Sequence, residues 1–476
     1  MSGVAVEDLL GLWSDELRGA KARLRPLFLQ SGTAAAAGAF LDGLLGPERR
    51  KTGWMRAEAA GDTGPWRQQA VLGRTTWDAD ALRDVVRDYA LDALAEPDAT
   101  LVIDETGFLK QGKASCGVGR QYTGSAGKIT NSQIGVFAVY TSSKGHAFID
   151  RRLYLPKDWT GNPDRLVKAH VPEDVRFATK PAIAVAMVRR AIDAGVPFAW
   201  MAADSVYGVG ELEMVLRRAG KGYVLGVTGS HHFNSWSPTL SVSGTAEKIA
   251  RDLPAESWIR LSAGNGTEGP RLYDWAYLEL ADLDPEMVGA PPGLGLWTRG
   301  LLVRRRPGDG ELAFFTTWSQ HGTPVDTLVR VEGQRWSIED AFETAKTELG
   351  LDHNETRSWH GWHRHVSLVM LAFALLAVVR HKADTRATPQ KRRGQFPAHG
   401  PLVDAGEPSS CRPPDPTADR ARRRHRMVNV EAMPSSARLP SPPQKSATVM
   451  LGALFRPRDR DGAGPDSSGS PAAAPD

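Results

Sequence analysis

The sequence predicts a mixed α/β fold, with a helical N-terminal region and a β-rich insertion late in the chain. Three observations predict it. Up to about residue 95 apolar residues recur at rough helical spacing. From residue 100 β-branched runs come first in succession and then alternate with helical segments, in the order β-β-β-α-β-α-β, a pattern that needs a mixed sheet. From about 229 to 328 Gly, Pro and Ser turns separate alternating runs, and helical periodicity resumes near 335.

Leu9, Leu10, Leu12, Trp13 and Leu17 mark a first helix. Phe40, Leu41, Leu44 and Leu45 mark a second, stopped by Gly46-Pro47. A third starts near Trp54, and Thr76 or Asp78 caps a fourth. Strands are expected at Thr100–Ile103, Ile134–Thr141 and Ala147–Leu155, then a helix at Lys180–Ala194 with Pro181 in its first turn. Phe198–Ala203 reads as a strand, Gly210–Ala219 as a helix and Tyr223–Val227 as a strand. In the insertion, Arg271-Leu-Tyr-Asp-Trp-Ala-Tyr-Leu-Glu-Leu and Leu301-Leu-Val-Arg alternate as strands do, and Trp236, Trp258, Trp275 and Trp297 are expected inside a β-sandwich. The last helical stretch runs to about 381. Its apolar core, Val366 to Val379, is short for a membrane span, which needs about 20 apolar residues, and reads as a buried helix. The expected divisions are 1–98, 99–228, 229–328, 329–383 and a tail at 384–476 rich in Pro, Ser, Arg and Ala that cannot bury enough apolar surface to fold.

A chain of 476 residues has room for two to four domains and a large core. Cys116 and Cys411 make neither a disulfide framework nor zinc spacing, which suits a reducing, cytoplasmic setting. Acids stand in the opening MSGVAVEDLL where a signal peptide has a basic region. A net charge of +4 permits a nucleic-acid partner without requiring one.

The chemistry lies in three acids. Asp104 in LVIDETG and Asp204 in WMAADSVYG each follow a short apolar run that reads as a buried strand. Glu339 lies on a helix whose apolar face is Ile338, Ala341, Phe342, Ala345 and Leu349, and whose charged stripe is Arg335, Glu339, Glu343 and Lys346. Two-metal phosphodiester chemistry places ions ~3.5–4 Å apart, which carboxylates on rigid strand ends can hold. Mg²⁺ takes such hard oxygen ligands. Arg335 and Lys346 would then grip phosphates, one through a bidentate fork and one as a point charge. Loop 109–133 is Gly-rich and basic; Lys110, Lys113, Arg120 and Lys128, with Tyr122, are candidates to line DNA phosphates. Lys180 is a further candidate, and Arg176 stands beside it. His360, His363 and His365 lack acidic or Cys partners at zinc spacing and are expected in the core, with imidazoles near the substrate groove. Asp150 and Glu105 are spare acids near the sheet, neither assigned to catalysis, with Glu105 turned away from Asp104 by strand alternation.

Arg335, Glu339 and Lys346, with three and six residues between them, match the signature around the third acid of DDE transposases. From about Phe40 to Arg380 the chain resembles the insertion sequence 701 branch of bacterial transposases, through AAGD at 59–62, LVIDETGFLKQGKASCGVGRQYTGSAGKITNSQIGVF at 101–137, LYLPKDW at 153–159, FATKP at 177–181 and RWSIEDAFETAKTELGLD at 335–352. The resemblance implies a ribonuclease-H-like core with Asp104, Asp204 and Glu339 as ligands of two Mg²⁺ ions, replaceable by Mn²⁺. It implies cutting at the element's DNA ends, joining of the freed 3′-hydroxyl to target DNA, and multimers on paired ends at the bacterial nucleoid, without a membrane partner. The helical 1–98 region is the expected DNA-binding domain.

Departures from the family pattern are local. Glu332 stands where a Tyr is usual three residues before the Arg, Ser205 replaces a Glu after the second Asp, and the likeness stops after Arg380. The family's Trp-rich basic terminus has no counterpart in Met427-Val-Asn-Val-Glu-Ala-Met-Pro, yet a one-base shift of the coding sequence can restore it, which suggests a frameshift over the last 90 or so residues. Two alternatives therefore stand beside an active transposase: a catalytically impaired DNA-binding remnant, and a ribonuclease-H-like nuclease.

Overall fold

A computed structural model describes residues 6–208, 210–235, 241–266 and 269–392. Of the expected tail at 384–476, residues 384–392 are described and continue the last helix, about ten residues past its expected end near 381; residues 393–476 and Trp236 lie outside the described residues.

Five helices open the chain: α1 (Val6–Leu24), α2 (Ser31–Leu44), α3 (Gly53–Ala60), α4 (Trp66–Gly73) and α5 (Ala79–Leu94). Asp78 caps α5, its carboxylate accepting from the Asp80 amide at 2.7 Å. Strands β1 (Thr100–Leu109), β2 (Gly119–Thr123), β3 (Lys128–Ser142) and β4 (Gly145–Leu153) follow, so the Gly-rich 109–133 stretch is a hairpin with its own strand rather than an open loop. Short helices α6 (Lys157–Thr160) and α7 (Pro163–Lys168) lead to α8 (Lys180–Asp193), β5 (Trp200–Ala203), α9 (Gly210–Arg218) and β6 (Gly222–Val227). The insertion contributes β7 (His232–Asn234), β8 (Ser243–Thr245), α10 (Ala246–Arg251), β9 (Ile259–Gly266), β10 (Gly269–Leu283), β11 (Trp297–Arg305) and β12 (Leu312–Gln320). Helices α11 (Val325–Gln334), α12 (Trp336–Thr347) and α13 (Trp359–Arg392) close the described chain. Helical structure resumes about ten residues earlier than the periodicity suggests, because Pro324 starts α11 and Leu328, Val329 and Val331 bury its apolar face.

The sheet order carries the fold. β3 pairs antiparallel with β1 on one side and β4 on the other, β1 pairs parallel with β5, and β5 parallel with β6. The order β4-β3-β1-β5-β6, with β3 reversed against its neighbours, is the ribonuclease-H-like arrangement. The insertion does not form a detached sandwich. β12 pairs antiparallel with β6, and β11, β10 and β9 continue outward, giving one ten-stranded sheet among the described residues. Trp275 and Trp297 are buried there, and Trp258 lies half-buried with the Arg305 guanidinium 4.1 Å from its ring centre.

The N-terminal helices share one core with the sheet. α13 is apolar on nearly every side, as a fully enclosed helix must be, and it buries Val366, Leu371, Leu375 and Val379 against α5, α1 and β4. By length and composition it could cross a membrane, but 78% of its most apolar window is buried inside the protein. At roughly 1.5–3 kcal/mol for each large apolar side chain removed from water, this helix is a principal source of stability.

Arg151 on β4 cements the junction. It is 1% exposed, and it donates to Asp80 at 2.7 Å, to Ser367 of α13 at 2.8 Å and to the Ala79 carbonyl at 2.7 Å. Burial works to raise the Asp80 carboxyl, but Arg151, aided by Arg83, outweighs it and holds the group well below the usual carboxylate range. Such a depressed group stabilises the fold fully above its unfolded value near pH ~4 and loses that contribution as pH falls through the folded value. Asp80→Asn is expected to cost about 1–3 kcal/mol at pH 7, read by urea unfolding, and to flatten the acid side of the stability profile.

Candidate active site

Parallel register sets the site. Ile103 pairs with Ala203, so Asp104, which lies within β1 because that strand runs on to Leu109 instead of stopping at Ile103 as the sequence suggests, stands beside Asp204, the first residue after β5. Asp104 accepts the Glu105 amide at 2.7 Å, and Asp204 accepts the Val206 amide at 3.0 Å. The turn after Asp204 lies tight on β6: a Cβ at Gly226 would stand 2.8 Å from the Ser205 nitrogen and 2.9 Å from the Asp204 carbonyl carbon, and one at Gly208 would strike the Gly226 carbonyl. Both positions therefore require glycine.

Helix α12 lies over the same sheet. Ile338, Ala341, Phe342 and Ala345 are buried as the periodicity predicts, with Phe342 5.3 Å from Phe137 and 5.7 Å from Phe148 between ring centres. Glu339 pairs with Arg335, at the α11–α12 junction, at 3.1 Å, and Arg335 is in turn close enough to Asp104 and Asp204 to feel their charges. Lys346 donates to Thr106 at 2.7 Å and Ser125 at 2.8 Å, linking α12 to β1 and the β2–β3 turn.

Electrostatics mark the centre. Burial, then the charges of Asp204 and Glu105, push the Asp104 carboxyl well above the ordinary range, with Arg335 opposing. Burial and Glu105 raise Asp204, against Arg335 and Lys180. Burial disfavours the Arg335 charge, but Glu339, Glu332, Asp104 and Asp204 outweigh it and hold the guanidinium above its usual value. Burial lowers Lys346.

A hard dication suits this donor set. Two adjacent carboxylates that repel each other in a desolvated place, with a third one helix away, have the ligand chemistry Mg²⁺ takes. The three acids do not converge on one point: among the described residues no three acidic, His or Cys side chains stand close enough to hold an ion. Arg335 is the positive charge paired with Glu339.

The remaining candidates divide. Arg120, Tyr122, Lys113 and Lys128 are exposed on or beside the β2–β3 hairpin. Lys110 is half-buried and donates to the Asn354 carbonyl at 2.7 Å. Lys180 pairs with Glu105 at 2.5 Å, and Arg176 bonds to carbonyls of its own loop. Glu332 is 3% exposed and pairs with Arg304 of β11 at 2.9 Å, so it braces α11 rather than facing a phosphate. The histidines turn to carbonyls instead of a groove: His363 to Trp359 at 2.9 Å, His365 to Gly350 at 3.0 Å and His360 to Gly73 at 3.3 Å. Glu105 carries no local signal of a role, since alternation turns it from Asp104; its two partners, Lys180 and Tyr207, lie 75 and 102 residues away.

Residues 23–253 match the family described as DDE superfamily endonuclease, a span that includes Asp104 and Asp204 and ends before Glu339. The chain is 29% identical over 164 residues to a probable transposase for insertion sequence element IS701 from Microchaete diplosiphon, a match covering 34% of this chain and 40% of that relative. These findings bear out the resemblance to DDE-type insertion-sequence transposases. Among solved structures, the piggyBac transposase in its synaptic complex with hairpin DNA superposes with a TM-score of 0.38 at 9% identity, over 79% of this chain and 73% of that one. The NurA nuclease from Sulfolobus solfataricus gives 0.24 at 8% identity, over 54% and 81%. Both scores are too low to bear on function.

A carboxyl raised on folding is a net cost above its folded pKa, and that cost fades as pH falls and the group protonates. Asp104→Asn is therefore expected to raise the Tm of the metal-free protein at pH 7. Mg²⁺ is expected to raise the Tm of the unmodified chain by binding the folded state, and Asp104→Asn to abolish that gain. Differential scanning fluorimetry with EDTA and with Mg²⁺ checks both.

Proposed function

We propose that this chain is the DNA transposase of a mobile insertion sequence, cutting at the element's ends and joining the freed 3′-hydroxyl to target DNA. The observation that supports the reading is that Asp104, within β1, lies beside Asp204, just past the end of β5, with Glu339 and Lys346 of α12 over the same sheet.

In the first step water oxygen bonds to phosphorus at the element end and the 3′-oxygen leaves with a proton as a hydroxyl. In the second that hydroxyl attacks a target phosphodiester and displaces another 3′-oxygen. Asp104, Asp204 and Glu339 would hold two Mg²⁺ ions, or Mn²⁺, which when bound supply charge stabilisation at the attacking and leaving oxygens. Arg335 has a fork suited to a phosphate once it parts from Glu339. Lys346 stands at the base of the hairpin as a fixed positive charge. The exposed Arg120, Lys113, Lys128 and Tyr122 offer a track for the DNA backbone, with Lys110 at its root. Assembly on paired ends and a place at the nucleoid belong to the same proposal.

In a cleavage assay on DNA carrying the element's own ends, Asp104→Ala and Glu339→Ala are expected to abolish Mg²⁺-dependent cutting with DNA binding largely intact. Cutting by both variants at the unmodified rate would refute the assignment. An unmodified chain that binds ends without cutting would favour the impaired remnant, and equal cutting of DNA without those ends would favour the nuclease.

Binding gives a separate test. Arg120→Ala/Lys128→Ala is expected to reduce the slope of log affinity against log salt by about 0.9 for each phosphate the variant no longer neutralises, measured by fluorescence anisotropy. An unchanged slope would take the hairpin off the DNA.

A further inference from the structure

We propose that Glu105 is a positioning residue, a strut that holds the Asp104 and Asp204 carboxylates at the spacing a cation needs; the inference rests on the metal-site reading above. One carboxylate joins three elements. Its Oε1 accepts from Lys180 Nζ at 2.5 Å, at the first turn of α8, and its Oε2 accepts from the Tyr207 hydroxyl, in the turn that follows Asp204. Its own amide donates to Asp104. Tyr207 is fully buried, so its ring cannot drift, and Thr179 caps α8 through the Ala182 amide at 3.2 Å, which fixes the backbone that carries Lys180.

Both oxygens of Glu105 are thus consumed inside the protein. A direct metal ligand would have to abandon two charge-assisted bonds to act, whereas a strut uses them as they stand. The geometry also gives Glu105 an electrostatic duty. Lys180 is close enough to Asp204 to act on its charge, and the Glu105 carboxylate holds that ammonium. Without its partner, Lys180 would turn to Asp204 and compete with a cation for it. Outer groups that orient ligands typically change metal affinity by about 10–100-fold when altered.

The test uses the full chain without DNA and titrates Mn²⁺ alone, reading free Mn²⁺ by electron paramagnetic resonance, with Tm recorded in EDTA. Glu105→Gln is expected to weaken Mn²⁺ binding about tenfold or more, because the freed Lys180 faces Asp204. Glu105→Gln/Lys180→Gln is expected to recover most of that loss, since a neutral amide still accepts the Tyr207 hydroxyl and no cation remains to compete. Tyr207→Phe, which keeps every charge, is expected to weaken binding severalfold and serves if Glu105→Gln does not fold. A double variant no better than Glu105→Gln would make Glu105 a direct ligand and overturn the proposal, as would unmodified affinity in Glu105→Gln or Tyr207→Phe. Asp104→Asn separates the two levels: undiminished Mn²⁺ binding there sinks the metal-site reading and this inference with it. Loss there with no effect of Glu105→Gln sinks this inference alone.

Discussion

Everything at this site follows from the parallel register of β1 and β5. A sheet places neighbouring strands about 4.8 Å apart, and the match of Ile103 with Ala203 sets Asp104, within β1, beside Asp204, at the point where β5 ends. Like charges so close, away from water, are costly unless a positive charge intervenes. In the protein without ions that role falls to Arg335, with Lys180 neutralising the neighbouring Glu105. The fold thus sustains an electrostatic cost beside the end of β5, and the large core offsets that cost.

That core is why the arrangement holds. α13 is enclosed by the N-terminal helices on one side and β4 on the other, with Arg151 tied to α5, β4 and α13 at once. α12 rests on Phe137 and Phe148 through Phe342. The rotation of α12 is set by this ring packing together with the bonds of Lys346 to Thr106 and Ser125. The N-terminal helices are for the same reason part of the core that carries the candidate site.

Local signals are enough for much of this. The apolar run before Asp204 identifies the end of β5, whereas the one before Asp104 marks only the first part of β1, which continues to Leu109; the i, i+3, i+4 pattern of Ile338, Ala341 and Phe342 orients α12, and Asp78 announces α5. Pairings distant in sequence are not legible. Nothing near Glu105 indicates Tyr207 or Lys180, and nothing near Glu332 indicates Arg304. Period-two alternation reveals that residues 259–320 are strands but carries no information about partners, so the continuation of the main sheet through β12 comes only from the structure. The buried histidines mislead because imidazoles near a charged helix suggest a wet groove, while the backbone carbonyls of Trp359 and Gly350 already satisfy them.

The seam between β9–β10 and α11 has a mechanical meaning. Arg271 of β10 donates to the carbonyl of Gly333 at 2.8 Å and lies 5.2 Å from the centre of the Trp336 ring, Arg304 of β11 clasps Glu332, and a side chain at Gly333 would collide with the Ala263 carbonyl. The outer strands are hydrogen-bonded rung by rung to the inner ones and pinned to the helix junction that bears Arg335. The outer strands and the start of α12 therefore share one packed seam, in which Arg271 and Arg304 tie strand residues to the helix junction that carries Arg335.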